Sequence, residues 1–196
     1  MNKLFFALFV LATGPGYGQD NYKDSMISYQ AIYVQNHEVV TGTDKELFRF
    51  FPVDEKYKIT ALFEKKNDSK WFSMETSGTT RKIFRVYGLL RLVINDTAIK
   101  MNIYQSQNLL NSDEYKDQLF LPFTDLTSGE ETYGAGRYID LVIGDIVDNK
   151  LVIDFNKACN PYCAYVSGKY NCPIPPKEND LPVAILVGEK IFEKAH

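Results

Sequence analysis

The sequence predicts an all-β dominated domain with one N-terminal helix, an antiparallel β-barrel or sandwich of about eight to nine short strands. Three observations carry that expectation. Short runs of alternating apolar and polar residues recur along the chain, separated by Gly, Asn, Asp and Pro turn signals. One window shows helical spacing and no second one follows. Thirteen Tyr and thirteen Phe enrich the chain in residues suited to a pleated, half-buried surface.

The first segment is a targeting signal rather than a structural element. MNKLFFALFVLATGPGYGQ places Lys3 before an apolar run over 4–12 and small residues after it, the pattern of a secretory signal peptide cleaved after Gly18. The run is too short for a membrane span, which takes about 20 apolar residues. Removing 18 of the 196 residues leaves 178, which suits a single β-rich domain over 19–196. The expected location is periplasmic or secreted, with no transmembrane segment after cleavage.

YKDSMISYQAIYV (22–34) sets Tyr22, Met26, Tyr29 and Tyr33 at helical spacing and predicts the amphipathic helix. Beyond Pro52, YKITALF (57–63) alternates Tyr57, Ile59, Ala61 and Phe63 with polar neighbours, the period of a half-buried strand. WFSMET (71–76) and RKIFRVY (81–87) follow, with Ser77-Gly78 as the turn between them. LLRLVI and TAIKMNIY flank Asn95-Asp96 and predict a hairpin over 89–104. QLFLPFT (118–124), RYIDLVI (137–143), LVIDF (151–155) and VAILV (183–187) complete the strands, with a second hairpin turn at Asp148-Asn149.

Charge and missing motifs exclude several functions. The formal charge is −3, or −4 without Lys3, so nothing marks a nucleic-acid partner. His37 and His196 are the only histidines, which excludes zinc sites built on paired histidines and leaves a Ser or Cys nucleophile only His37 as a realistic base. There is no G-x-S-x-G elbow, Walker loop or dinucleotide fingerprint. No cofactor and no metal is expected.

The segment DLTSGEETYGAGRYIDL (125–141) holds the candidate site. Asp125, Glu130 and Glu131 offer hard oxygen ligands or a proton-handling pair. Gly134 and Gly136 suit positive φ, and Arg137 suits a clamp on a carboxylate or phosphate. The competing reading is a Gly-rich turn whose arginine pairs with a neighbouring acid. The turn is the preferred reading, and the length of the connection keeps the functional one open, since a plain hairpin needs fewer residues. Asp140 and Asp154 interrupt apolar strands, and either one, if inward, needs a partner such as Arg137. With Asn156 they complete the binding candidates Asp125, Arg137, Asp140, Asp154 and Asn156.

Cys159, Cys163 and Cys172 share one Pro-rich covering segment, DFNKACNPYCAYVSGKYNCPIPPKEN. The preferred reading is a Cys163–Cys172 disulfide closed around the Ser167-Gly168 turn. A reactive Cys163 thiol and a three-cysteine metal site are the alternatives.

LFLPFTDLTSGEETYGAGRYIDL, DFNKACNPYCAY, NCPIPPKENDLP and VGEK, with FFPVDEKYKITALFEK, METSGTTRK and YGLLRLVI upstream, strongly resemble the domain of unknown function 1684 family of bacterial and archaeal proteins. The resemblance spans residues 22–192. It implies a single β-rich domain and places Gly134, Gly136, Arg137, Asp154, Asn156, Asn160, Cys163, Cys172, Glu178 and Asn179 in characteristic motifs. Cys159 stands where the family has tyrosine, which favours the Cys163–Cys172 pairing. Ala135 stands where a third glycine is common, which weakens a backbone anion nest. The Asn-x-Ser/Thr matches at Asn67 and Asn95 are chance in such a family.

Three functions are compatible with these residues. The favoured one is an exported cell-envelope module that binds a small molecule, a glycan or another envelope component. The second is a carboxylate-based hydrolase or lyase at the 125–137 loop, with Glu130 or Glu131 as acid or base and Arg137 as electrostatic stabiliser. The third is a thiol redox protein.

Overall fold

A computed structural model describes residues 17–193. The signal-peptide reading of residues 1–18 falls almost wholly outside the described residues, as does His196. Helix α1 (Tyr17–Asn36) precedes seven strands: β1 (Lys58–Lys65), β2 (Phe72–Met74), β3 (Lys82–Ile94), β4 (Thr97–Ser106), β5 (Gln118–Phe123), β6 (Arg137–Val142) and β7 (Lys150–Asp154). They form one antiparallel sheet in the order β6-β5-β4-β3-β1-β7, curled into a half-barrel. β2 takes the N-terminal part of β3, while β1 pairs with its C-terminal part.

The strands are seven rather than eight or nine for two reasons. Residues 81–87 and 89–94 belong to one strand, β3, whose register against β4 shifts between Val86 and Gly88. Gly88 is no turn; the Phe63 ring crosses it so closely that a Cβ there would meet Phe63 Cε2 at 2.2 Å. The second reason is 183–187. Val183, Ile185 and Val187 point inward as the alternation predicts, yet the segment joins no ladder.

The turn at Asn95-Asp96 joins the paired strands β3 and β4. The turn at Asp148-Asn149 closes only the Val147–Lys150 bridge, because β6 and β7 lie at opposite ends of the sheet and form no hairpin. Asn95 and Asp96 take φ of 46° and 62°, and Asp148 and Asn149 take 50° and 57°. Two successive positive φ values give the turn whose twist matches that of paired strands. β5 contains Pro122, which has no N–H to donate, and β4 and β5 pair only at Tyr104 and Phe120.

The concave face holds the core, with Leu90, Ile103, Leu119, Phe123, Ile153 and Phe155 fully buried. Leu181, Val183, Ile185 and Val187 pack into the same cluster and cover its open side. Helix α1 lies outside. Met26 is its buried anchor, Tyr22 and Tyr33 are half-buried, and Ile27 and Ile32 face solvent.

Candidate functional site

Arg137 starts β6 and is fully enclosed, as is Asp125 two residues after the end of β5. Arg137 Nη2 donates to Asp125 Oδ2 at 2.8 Å and to the Ile185 carbonyl at 2.9 Å. Its Nη1 donates to the carbonyls of Val187 at 2.6 Å and Glu189 at 3.3 Å. Asp125 Oδ1 accepts from the Thr127 N–H at 2.7 Å and its hydroxyl at 2.6 Å. The guanidinium supplies the donors a neighbouring strand would give to 185–189, so that segment is extended without being a strand. Burial lowers the Arg137 pKa, and the Asp125 carboxylate acts against that shift.

The rest of the 125–137 loop closes on itself. The N–H groups of Glu130, Glu131 and Thr132 all donate to the Thr127 carbonyl, so they are not turned toward an anion. Gly136 takes φ of 87°, and a Cβ there would meet the Phe123 carbonyl at 2.4 Å. Gly129 rather than Gly134 is the other left-handed glycine of the loop. Glu130 and Glu131 are exposed, and Glu131 pairs with Lys190 at 3.3 Å. The loop therefore brings Asp125 and Arg137 together and keeps Glu130 and Glu131 at the surface.

The other candidates lie elsewhere. Asp140 is exposed on β6, opposite Phe120. Asp154 and Asn156 end β7 and tie it to helix α1. Tyr22 Oη donates to both Asp154 oxygens at 2.9 Å, and Asn156 Nδ2 donates to Tyr22 Oη at 2.9 Å and to the Asp54 carbonyl at 3.0 Å. Asn179 sits in the gap that Pro122 opens between β4 and β5. Its Oδ1 accepts from the Asn102 N–H at 2.7 Å, and its Nδ2 donates to the carbonyls of Asn102 at 2.8 Å and Pro122 at 2.7 Å. These are braces that satisfy backbone groups where strands part.

Cys163 and Cys172 lie at disulfide distance, with Cα atoms 6.2 Å apart. Cys159 is the free thiol, and its Sγ lies 3.6 Å from the Tyr138 carbonyl. Burial, with Asp140 and Glu189 nearby, raises its pKa, which disfavours a reactive thiolate.

A different cluster lies under helix α1. Glu189 is fully buried, and Tyr165 Oη donates to its two oxygens at 2.8 and 2.9 Å. The Asn160 N–H donates at 2.9 Å and Tyr33 Oη at 3.3 Å. Burial pushes the carboxyl up to about 7, with these donors pulling the other way. Beside it stands His37, whose ring centroid lies 4.6 Å from Tyr165, 5.0 Å from Phe48 and 5.6 Å from Tyr162.

His37 is 7% exposed, and its Nδ1 accepts the Val40 N–H at 3.0 Å. Nδ1 therefore carries no proton, and the proton of the neutral ring sits on Nε2. Burial lowers the imidazole pKa and favours that neutral form. Nε2 is buried and has no partner among the described residues. An orphaned donor of this kind costs roughly 1–3 kcal/mol. His37 lines a groove of about 280 Å³ with Tyr29, Ile32, Tyr33, Asn36, Glu38 and Tyr162. Two larger hollows, of about 580 and 590 Å³, hold none of the orphaned buried atoms.

In the sequence His37 stands out only as a possible base, and Glu189 does not stand out. The available signal was a lone acid closing the apolar run VAILVGEKIF.

Fold and braces together define an antiparallel half-barrel domain with a helix strapped across its side. The chain belongs to the family described as Protein of unknown function (DUF1684), which it matches over residues 46–190. That segment contains all seven strands, the Asp125–Arg137 pair and Glu189, while α1 and His37 precede it. An uncharacterised protein of Haloarcula marismortui, solved by solution NMR, shares the fold with a TM-score of 0.64. It is 24% identical, and the alignment covers 88% of this chain and 97% of that one. No curated protein matches.

Proposed function

We propose that the protein is an exported cell-envelope module that binds a small molecule in the groove beside His37. One observation carries this reading: His37, whose buried Nε2–H is unpartnered among the described residues, is among the residues that line an aromatic groove. The half-exposed tyrosines of the groove would cover a ligand's apolar faces. At about 280 Å³ the groove suits a single ring, since drug-sized ligands occupy roughly 300–1,000 Å³. Cys163 and Cys172 at disulfide distance are compatible with an oxidising compartment.

The hydrolase or lyase reading has less behind it. Arg137 and Asp125 have no exposed side-chain surface to offer a substrate, and Glu131 is paired with Lys190. The thiol redox reading is weakened by the raised pKa of Cys159.

The test is a general fragment library followed by amide correlation NMR on the labelled protein. Shift changes gathered at Tyr29, Asn36, His37, Glu38 and Tyr162 are expected. Changes gathered instead at 125–136, or none in the groove, would overturn the assignment.

A further inference from the structure

We infer that helix α1 is a detachable strap, held on the half-barrel by tyrosine hydroxyls on buried carboxylates and released when Glu189 loses its proton. This does not rest on the binding reading above. Release would nonetheless dismantle the groove, since Tyr29, Ile32, Tyr33 and Asn36 of its lining belong to α1.

The helix is lightly seated. Among its described side chains only Met26 is buried, so little apolar surface holds it. Two polar attachments supply the rest. Tyr22 bonds to Asp154 and Asn156, and the Tyr33 hydroxyl lies 3.0 Å from that of Tyr165 and 3.3 Å from Glu189 Oε2. Gln30 Nε2 is buried without a partner among the described residues, which works against seating. The family match begins at residue 46, beyond the helix, and contains every strand, so release costs the sheet no strand.

Glu189 couples the seating to pH. Tyr165, Asn160 and Cys159 surround it from the covering segment and Tyr33 from α1. Arg137 stands on the β6 side, already engaged by Asp125 and three carbonyls. Lys190, next in the chain, is turned to Glu131 and the Phe51 ring. Of these groups Tyr33 is the one that moves away with the strap, and its departure opens the carboxylate to water.

Burial raises the Glu189 pKa to about 7, so the seated form binds the proton more tightly than the released form, and release grows as pH rises. Tyr33, Tyr165 and Cys159 also have raised pKa values and keep their protons near neutrality. His37, whose pKa is lowered, favours release only as pH falls below its ordinary 6.5. Between pH 6.5 and 8.5 Glu189 therefore acts alone.

The test is amide hydrogen exchange of the full chain at those two pH values, corrected for intrinsic rates, comparing residues 26–33 of α1 with β4. The α1 amides should open more often than those of β4, and their opening should rise about fourfold from pH 6.5 to 8.5. Glu189→Gln, neutral throughout, should abolish that rise. Tyr33→Phe should raise α1 opening about fivefold at pH 6.5, the scale of one lost hydrogen bond, and serves if the Glu189 variant does not fold. Amides of α1 that open no more often than those of β4, or equally at both pH values, would overturn the inference. So would a rise kept in Glu189→Gln, or α1 opening unchanged in Tyr33→Phe.

Discussion

Arg137 and Asp125 meet at 2.8 Å inside the core, where neither side chain has any exposed surface. The pair does more than neutralise itself. Through Ile185, Val187 and Glu189 it fixes the extended segment that covers the open side of the half-barrel. Arg137 pairs with a neighbouring acid, one of its two readings from the sequence, and also supplies the hydrogen bonds of a missing strand.

Breaking this pair should be among the costliest single changes in the chain. Arg137→Met or Asp125→Asn leaves one charge or several carbonyls unpaired in a dry interior, and each should lose about 3–5 kcal/mol. Urea unfolding midpoints measure this. Glu131→Gln, at an exposed ion pair, should stay within about 0.5 kcal/mol of the parent. Equal losses at the two sites would contradict the assignment.

Glu189 should make stability fall as pH rises toward neutrality. Its folded pKa of about 7 lies above the ordinary 4.5, so the native state binds the proton more tightly than the unfolded chain. The associated stability is complete below about 4.5 and is lost as pH climbs through about 7, of the order of 3 kcal/mol. Glu189→Gln should flatten that part of the curve. A parent whose unfolding free energy rises steadily from pH 4.5 to 7 would show that the carboxyl is not held this way.

The glycines of the 125–137 loop should differ sharply in tolerance. Gly136→Ala forces a Cβ onto the Phe123 carbonyl at positive φ and should cost more than about 2 kcal/mol. Gly134→Ala meets nothing closer than 3.5 Å and has no positive φ, so it should cost under about 1 kcal/mol. Thermal melts of the two variants decide the ranking.

Intact mass of the unreduced, denatured protein should be two hydrogens below the fully reduced formula, from the Cys163–Cys172 pair. Replacing both with serine should cost about 2–3 kcal/mol for a loop of this length. When the full chain is expressed in a secreting bacterium, N-terminal sequencing should begin at Gln19. A mature chain that still begins at Met1 would remove the export half of the proposal.

The period-2 runs, the Asn95-Asp96 and Asp148-Asn149 turns and the Tyr22–Met26–Tyr33 spacing are local properties, so the strands and helix were legible in the sequence. Local signals could not merge 81–87 with 89–94, because Gly88 serves the ring of Phe63, which comes from another strand. The inward alternation of 183–187 was legible too. Its failure to be a strand was not, since its partner is the Arg137 side chain rather than a backbone.

The site divides along the same line. From the sequence, Asp140 and Asp154 each interrupt an apolar strand, and either one needs a partner if it points inward, because burial without hydrogen bonds is costly. The tertiary structure puts Asp140 at the surface, gives Asp154 the Tyr22 hydroxyl, and makes Asp125 the partner of Arg137. It also decided that His37 Nε2 is one of the buried donors without a partner among the described residues, and that His37 shares a groove with Tyr162, 125 positions along the chain. Burial and hydrogen-bond satisfaction belong to the packed assembly, and no local pattern encodes which buried group is left without a partner.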